Sequence, residues 1–196
     1  MLRNTLRPDL VNTSVGRSKL RLERCFFMKL KTRDLVYMAL YAALFVVLDY
    51  LTNALNLFRM PQGGSLSFAT VALLIASYHL GWKKGLVVSL VAIGLMWAIG
   101  SITYYGVISL LFDYVIGYLA YGLASLFPNF KFFYSGIVVS NLIRLAASTY
   151  AGCAVWESPF AGSLSYNASY IIPTMIADLI LVPIIYSAIK PAIKKK

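Results

Sequence analysis

Side chains able to do acid–base, nucleophilic or metal chemistry are scarce in this sequence. It holds one histidine, His79, and two cysteines, Cys25 and Cys153, which lie far apart with no neighbour at the spacing of a zinc or redox motif. Neither a disulfide nor a metal site is expected, and no cofactor is called for. HExxH is absent, and GSLSYNASY lacks the GxS-plus-histidine arrangement of an intramembrane serine protease. Walker and Rossmann fingerprints are missing too, so this chain does not hydrolyse ATP by itself.

Charge is the next scarcity. Only 13% of the residues are charged while 60% are hydrophobic, against roughly 45 to 50% apolar residues in a soluble domain. An integral membrane protein is expected. The net charge of +11 does not point to nucleic acid, because the bases sit in an N-terminal leader, one mid-chain turn and the C-terminal end. Residues 1 to 27 carry six Arg or Lys and two acids, with no apolar stretch of signal-peptide length. They read as a basic leader, disordered or not translated, with Met28 as the natural start of the membrane domain that runs from 28 to 196.

What is abundant is apolar sequence. A hydrocarbon core of about 30 Å takes about 20 helical residues per crossing, so the material after Leu35 has room for about six. The expected runs are about Asp34–Leu55, Leu66–Leu80, Leu86–Ile99, Val107–Leu126, Phe132–Val155 and Tyr166–Ile189. NLFRMPQGGS, GWKKG, GSITYYG, PNFK and the stretch after Trp156 separate them. The fold class is therefore all-α: a polytopic membrane protein with six transmembrane helices in one bundle. A cytoplasmic N-terminus puts Lys31, Arg33, Lys83, Lys84, Lys131, Lys190 and Lys194 to Lys196 on the inner side, and leaves Arg59 alone among bases outside. The positive-inside rule selects that orientation, with both termini cytoplasmic. PQGGS, SITYY and WESPFAGSLSYN then share the outer face.

Four charged residues interrupt the apolar runs: Asp49, Asp113, Arg144 and Asp178. A charge at the bilayer centre costs about 2.5 to 3.5 kcal/mol even on a lenient scale, so these groups should face the interior, paired or hydrated. Similar depths allow Arg144 and Asp178 to form an ion pair between adjacent helices. Asp113 lies nearer the outer end of its helix, where a carboxylate accepts hydrogen bonds from an amine and balances an organic cation; pairing with Arg144 or holding a water is its structural alternative. Trp156, Tyr104, Tyr105, Tyr166 and Tyr170 lie near the outer boundary as an aromatic belt or as walls of a binding site. Asn167 either contacts a ligand or caps a helix. Ala39 and Ala43 share a helix face that permits close approach of another helix, from a partner protein or from the same bundle.

MPQGGSLSF at 60 to 68, the GWKKG turn, LLFDYVIGYLAYGLASLF at 110 to 127, RLAASTYAGCAVW and SLSYNASYIIP together resemble the thiamine-specific substrate-binding S component of energy-coupling factor (ECF) transporters. The resemblance covers the chain from about Asp34 onward. It implies a multi-pass protein of the bacterial cell membrane that binds thiamine, or a related precursor, from outside. Its partners would be membrane lipids, a transmembrane coupling subunit and two ATPase subunits. Trp156 would stack on the ligand, Asn167 would hydrogen-bond it, and Gly152 would leave room for close approach. Asp113 with Tyr114 stands where the family has Glu-Tyr. Ser148 replaces a family histidine four residues after Arg144, Gly162 replaces a tyrosine, and the loop after Trp156 is short. Ala39 and Ala43 match the alanines with which first helices meet the coupling subunit. Two other classes compete: an intramembrane enzyme with Asp113 and Asp178 as paired acids, and a stand-alone secondary carrier, for which no inverted repeat is visible.

Overall fold

The structure is a computed structural model that describes residues 30–55, 60, 61, 64–103, 105–130 and 133–194. The expectations for residues 1 to 27, Arg59, Tyr104, Lys131 and the last two lysines lie outside them. Arg33–Lys196 forms a compact unit. Its described part contains six helices: α1 (Thr32–Ala54), α2 (Thr70–Leu80), α3 (Trp82–Ile99), α4 (Gly106–Gly122), α5 (Ser135–Trp156) and α6 (Phe160–Lys194). Four of them, α1, α3, α5 and α6, are long and apolar enough to cross a membrane; α2 and α4 are shorter apolar helices.

No glycine or proline interrupts α1, and Met38, Tyr41, Ala42, Phe45, Asp49 and Thr52 make one buried stripe along it. Phe45 packs edge-on against Tyr118 of α4, ring centres 5.5 Å apart. Near the inner end expected from the basic residues, the Tyr41 hydroxyl and His79 Nδ1 share a 2.8 Å hydrogen bond, and Lys84 pairs with Asp34 at 2.7 Å. The single histidine is thereby part of the packing between α1 and α2.

α2 is the centre of the bundle. Every residue from Thr70 to Ser77 is buried, as expected of a helix that is apolar all round. At 1.5 Å per residue its 11 residues span only about 16 Å. The expected start at Leu66 is too early, because Leu66–Ala69 is not helical and the Ser67 N–H donates to Thr174 Oγ1 of α6. The GWKKG turn is also shorter than expected. Gly81 alone, with φ +86°, reverses the chain, and Trp82 to Gly85 already form the first turn of α3.

Gly85 and Gly122 let α3 and α4 touch backbone to backbone: a Cβ on Gly85 would lie 2.6 Å from Gly122 O, and one on Gly122 would lie 2.8 Å from Gly85 O. After α4 a short 3₁₀ turn (Ala124–Leu126) leads into a two-stranded hairpin, β1 (Asn129–Phe130) and β2 (Phe133–Tyr134), which delays α5 to Ser135.

α5 ends in a left-handed cap at Glu157, φ 50°, and only three residues separate it from α6. The expected loop through Asn167 is therefore mostly helix. Pro159 suits a helix start, and its carbonyl accepts the Ser163 N–H at 3.0 Å. The polar side chains of this stretch bond back to their own helix: Ser165 Oγ to Ala161 O, Ser169 Oγ to Tyr166 O, and Asn167 Nδ2 to Ser163 O. Asn167 is seven residues inside α6 and does not cap it. Pro173, Pro183 and Pro191 all lie within the same helix, an arrangement that membrane helices tolerate.

Candidate functional site

The ends of α1, α4, α5 and α6 that were expected on the outer side, with the α3–α4 connection, line a cavity of about 570 Å³. All six positions singled out for a ligand, Asp113, Tyr114, Ser148, Gly152, Trp156 and Asn167, line it. Tyr105, Tyr166 and Tyr170, expected as belt or site wall, line it too, as do Asp49, Ser101, Ser109, Tyr118, Arg144 and Ser163, which the sequence did not assign to a site.

α4 brings its residues to the wall through an unusual backbone. Leu110–Ile116 is a π-helix, whose wider turn shifts the angular placement of side chains and recurs at functional sites. Asp113 and Tyr114 both lie in it. Asp113 Oδ2 accepts the Ser109 hydroxyl at 2.9 Å. The Tyr114 hydroxyl donates to Thr103 O at 2.8 Å and accepts from Thr103 N at 3.0 Å, which fastens the α3–α4 connection beside the cavity.

α5 contributes Arg144, Ser148, Gly152 and Trp156, each four residues after the last, so they stack along one face. Ser148 is buried and lines the same wall as Asp113 and Tyr170. A Cβ on Gly152 would collide with Ser163 Oγ, which donates to Thr149 O at 2.9 Å. The room that this glycine leaves is thus filled by α6, and its role in the structure is to let α5 and α6 close together. Trp156 remains 44% exposed, its ring edge-on to Tyr105 with centres 4.7 Å apart. On α6, Asn167 Oδ1 accepts the Tyr170 hydroxyl at 2.6 Å, so Asn167 holds Tyr170 to the wall.

Arg144 and Asp178 do not form the expected ion pair. Among the described residues the ion pair is Lys84 with Asp34. Asp178 is fully buried and accepts from Thr70 Oγ1 at 2.9 Å and Asn141 Nδ2 at 3.3 Å. Arg144 donates to the Tyr121 hydroxyl, which donates to Asn141 Oδ1, so two neutral side chains stand between the charges. The guanidinium lies over the Tyr118 and Tyr121 rings at 4.9 and 5.9 Å, where π-faces replace a carboxylate partner. Asp113 lines the cavity and Asp178 does not, so they share no space in which to act as paired acids.

The chain was also compared with known proteins. The family described as thiamine transporter protein (Thia_YuaJ) matches residues 35–194. The thiamine transporter ThiT of Bacillus subtilis (strain 168) is 28% identical over 174 residues, covering 78% of this chain and 89% of that protein. No solved structure matches. The family match runs from the first turn of α1 to the last turn of α6, the whole stretch that builds the cavity, and the chain belongs to the thiamine transporter protein (Thia_YuaJ) family.

Proposed function

We propose that the protein is the substrate-capture S component of an ECF-type vitamin importer, binding thiamine or a close relative in the cavity described above. Family membership makes it a membrane protein of thiamine transport rather than an enzyme. The observation that carries the finer reading is the cavity itself. Its volume of about 570 Å³ is within the range of small-molecule sites, and it combines aromatic walls with the Asp113 carboxylate, as suits a flat, cationic, amine-bearing heteroaromatic ligand.

Calorimetric titration of the detergent-solubilised protein with thiamine, its pyrimidine fragment and its thiazole fragment tests this. Sub-millimolar binding is expected, tightest for the intact vitamin, and absence of binding by all three would reject thiamine. The S-component reading assigns ATP hydrolysis to partner subunits, in keeping with the lack of a nucleotide motif in this sequence. Ala42 faces the core, whereas Ala39 and Ala43 are exposed on the outward face of α1 with Val36, Leu40 and Val47, so packing within the bundle accounts for the first alanine and leaves the other two for a coupling subunit. In the same preparations, Ala39→Trp and Ala43→Trp should bind ligand normally but fail to assemble with an ATPase module; normal assembly and transport would remove that face from consideration.

The orientation with an outward cavity and cytoplasmic termini belongs to the same proposal. Cysteine placed at exposed Glu157 should be labelled by impermeant reagent from outside, and cysteine at exposed Lys83 only from inside. Labelling of both from one side would refute it. Ser163, although in the outer sequence cluster, is buried and unsuitable as a probe.

A further inference from the structure

Asp49 is a carboxylate of the cavity that the thiamine-binding reading has not used. It belongs to the buried stripe of α1 and is 7% exposed. Its Oδ2 accepts the Ser101 hydroxyl at 2.6 Å and Asn53 Nδ2 at 3.2 Å. Oδ1 accepts no hydrogen bond from a described residue. Asparagine would satisfy both neutral donors without placing a charge in a membrane helix, so these contacts alone do not explain a carboxylate.

The charge balance of the cavity does. Among the described lining residues are two carboxylates, Asp49 and Asp113, and one guanidinium, Arg144. Arg144 acts electrostatically on both acids but forms an ion pair with neither, and its Nε, buried, has no hydrogen-bond partner. With both acids ionised, one cation set among two anions leaves one negative charge unbalanced at the cavity wall. A ligand with a single fixed positive charge supplies what is missing.

Resting on the thiamine-binding reading, we infer that Asp49 is a second charge-recognising residue of the ligand cavity, selecting a monocationic ligand over a neutral one of the same shape. Ser101 and Asn53 hold Oδ2, and with it the orientation of the carboxylate, while Oδ1 faces the ligand. A ring that is cationic without an N–H to donate is recognised by charge alone. This is the service that a carboxylate performs and an amide of the same shape does not.

The test compares thiamine with its neutral analogue, in which a thiophene replaces the thiazolium, by calorimetric titration of wild type, Asp49→Asn, Asp49→Glu and Asp113→Asn. Asp49→Asn should lose about 10- to 100-fold in affinity for thiamine and less than about 3-fold for the neutral analogue. Asp49→Glu should recover most of the preference for the charged ligand. Equal losses for both ligands in Asp49→Asn would make Asp49 a fastening for the Ser101 connection and overturn the inference, as would no loss for either. Binding of neither ligand by wild type would overturn the thiamine reading and this subsite with it. Preserved charge preference in Asp49→Asn with a loss in Asp113→Asn would leave the ligand assignment standing and assign the charge recognition to Asp113 alone.

Discussion

Gly122→Ala should cost the fold about 3 kcal/mol or more, whereas Gly94→Ala should be neutral or slightly stabilising. Both changes add one methyl to a helix. At Gly94 nothing lies within 4 Å of the added carbon; at Gly122 it would sit 2.8 Å from Gly85 O and from Leu86 N, closer than such contacts occur. These neighbours are backbone, so no rotamer change relieves the clash and α3 must move away from α4. The displacement would also loosen the Ser77 hydroxyl from Gly122 O, a buried bond of 2.7 Å that ties α2 to the same seam. In a bilayer the association of helices depends on such close packing, since lipid is as apolar as the side chains. Thermal unfolding of the two purified variants, followed by size-exclusion monodispersity, checks the contrast. Equal stability would mean that the α3–α4 seam gives way easily.

The apolar runs made the six helices legible, because they state where helix is affordable in lipid. Their ends were less so. Ser163 and Ser165 looked like loop because their side chains are polar, yet each hydrogen-bonds to its own helix or the adjacent one. The π-helical stretch at Leu110–Ile116 left no trace in composition: LLFDYVI is as consistent with an ordinary helix.

The site was legible to the extent that polar and aromatic groups are rare in this chain and collect near one boundary. Ser148 and Gly152 follow Arg144 at helical spacing, so one helix face carries them to the cavity with Trp156. Pairing of buried charges was not legible. Depth along the membrane allowed Arg144 and Asp178 to meet, but the intervening Tyr121 and Asn141 depend on how α4, α5 and α6 rotate about their own axes, which equal depth does not determine. Asp49 could be recognised as a buried charge, but its place beside the ligand cavity needed the position of α1 relative to the α3–α4 connection.

Trp156→Ala should weaken thiamine binding by about 1 to 3 kcal/mol, about 5- to 150-fold, and Trp156→Phe by less. The ring is 44% exposed at the last turn of α5, so it has a face still in contact with solvent that a planar ligand can cover. Tyr105 meets it edge-on and limits its freedom, which reduces the ordering that binding must impose. Alanine removes both the apolar area and the π-face toward a cationic ring, whereas phenylalanine keeps much of the area and offers a weaker face. The loss should therefore follow the order alanine, then phenylalanine, by calorimetry on variants that elute as folded wild type does. Fluorescence supplies a second reading: Trp82 and Trp97 are exposed and do not line the cavity, so ligand-induced quenching seen in wild type should vanish in Trp156→Phe while binding persists. Unchanged affinity in Trp156→Ala would return this residue to the interfacial aromatic belt, where a half-exposed tryptophan at a helix end needs no ligand to explain it.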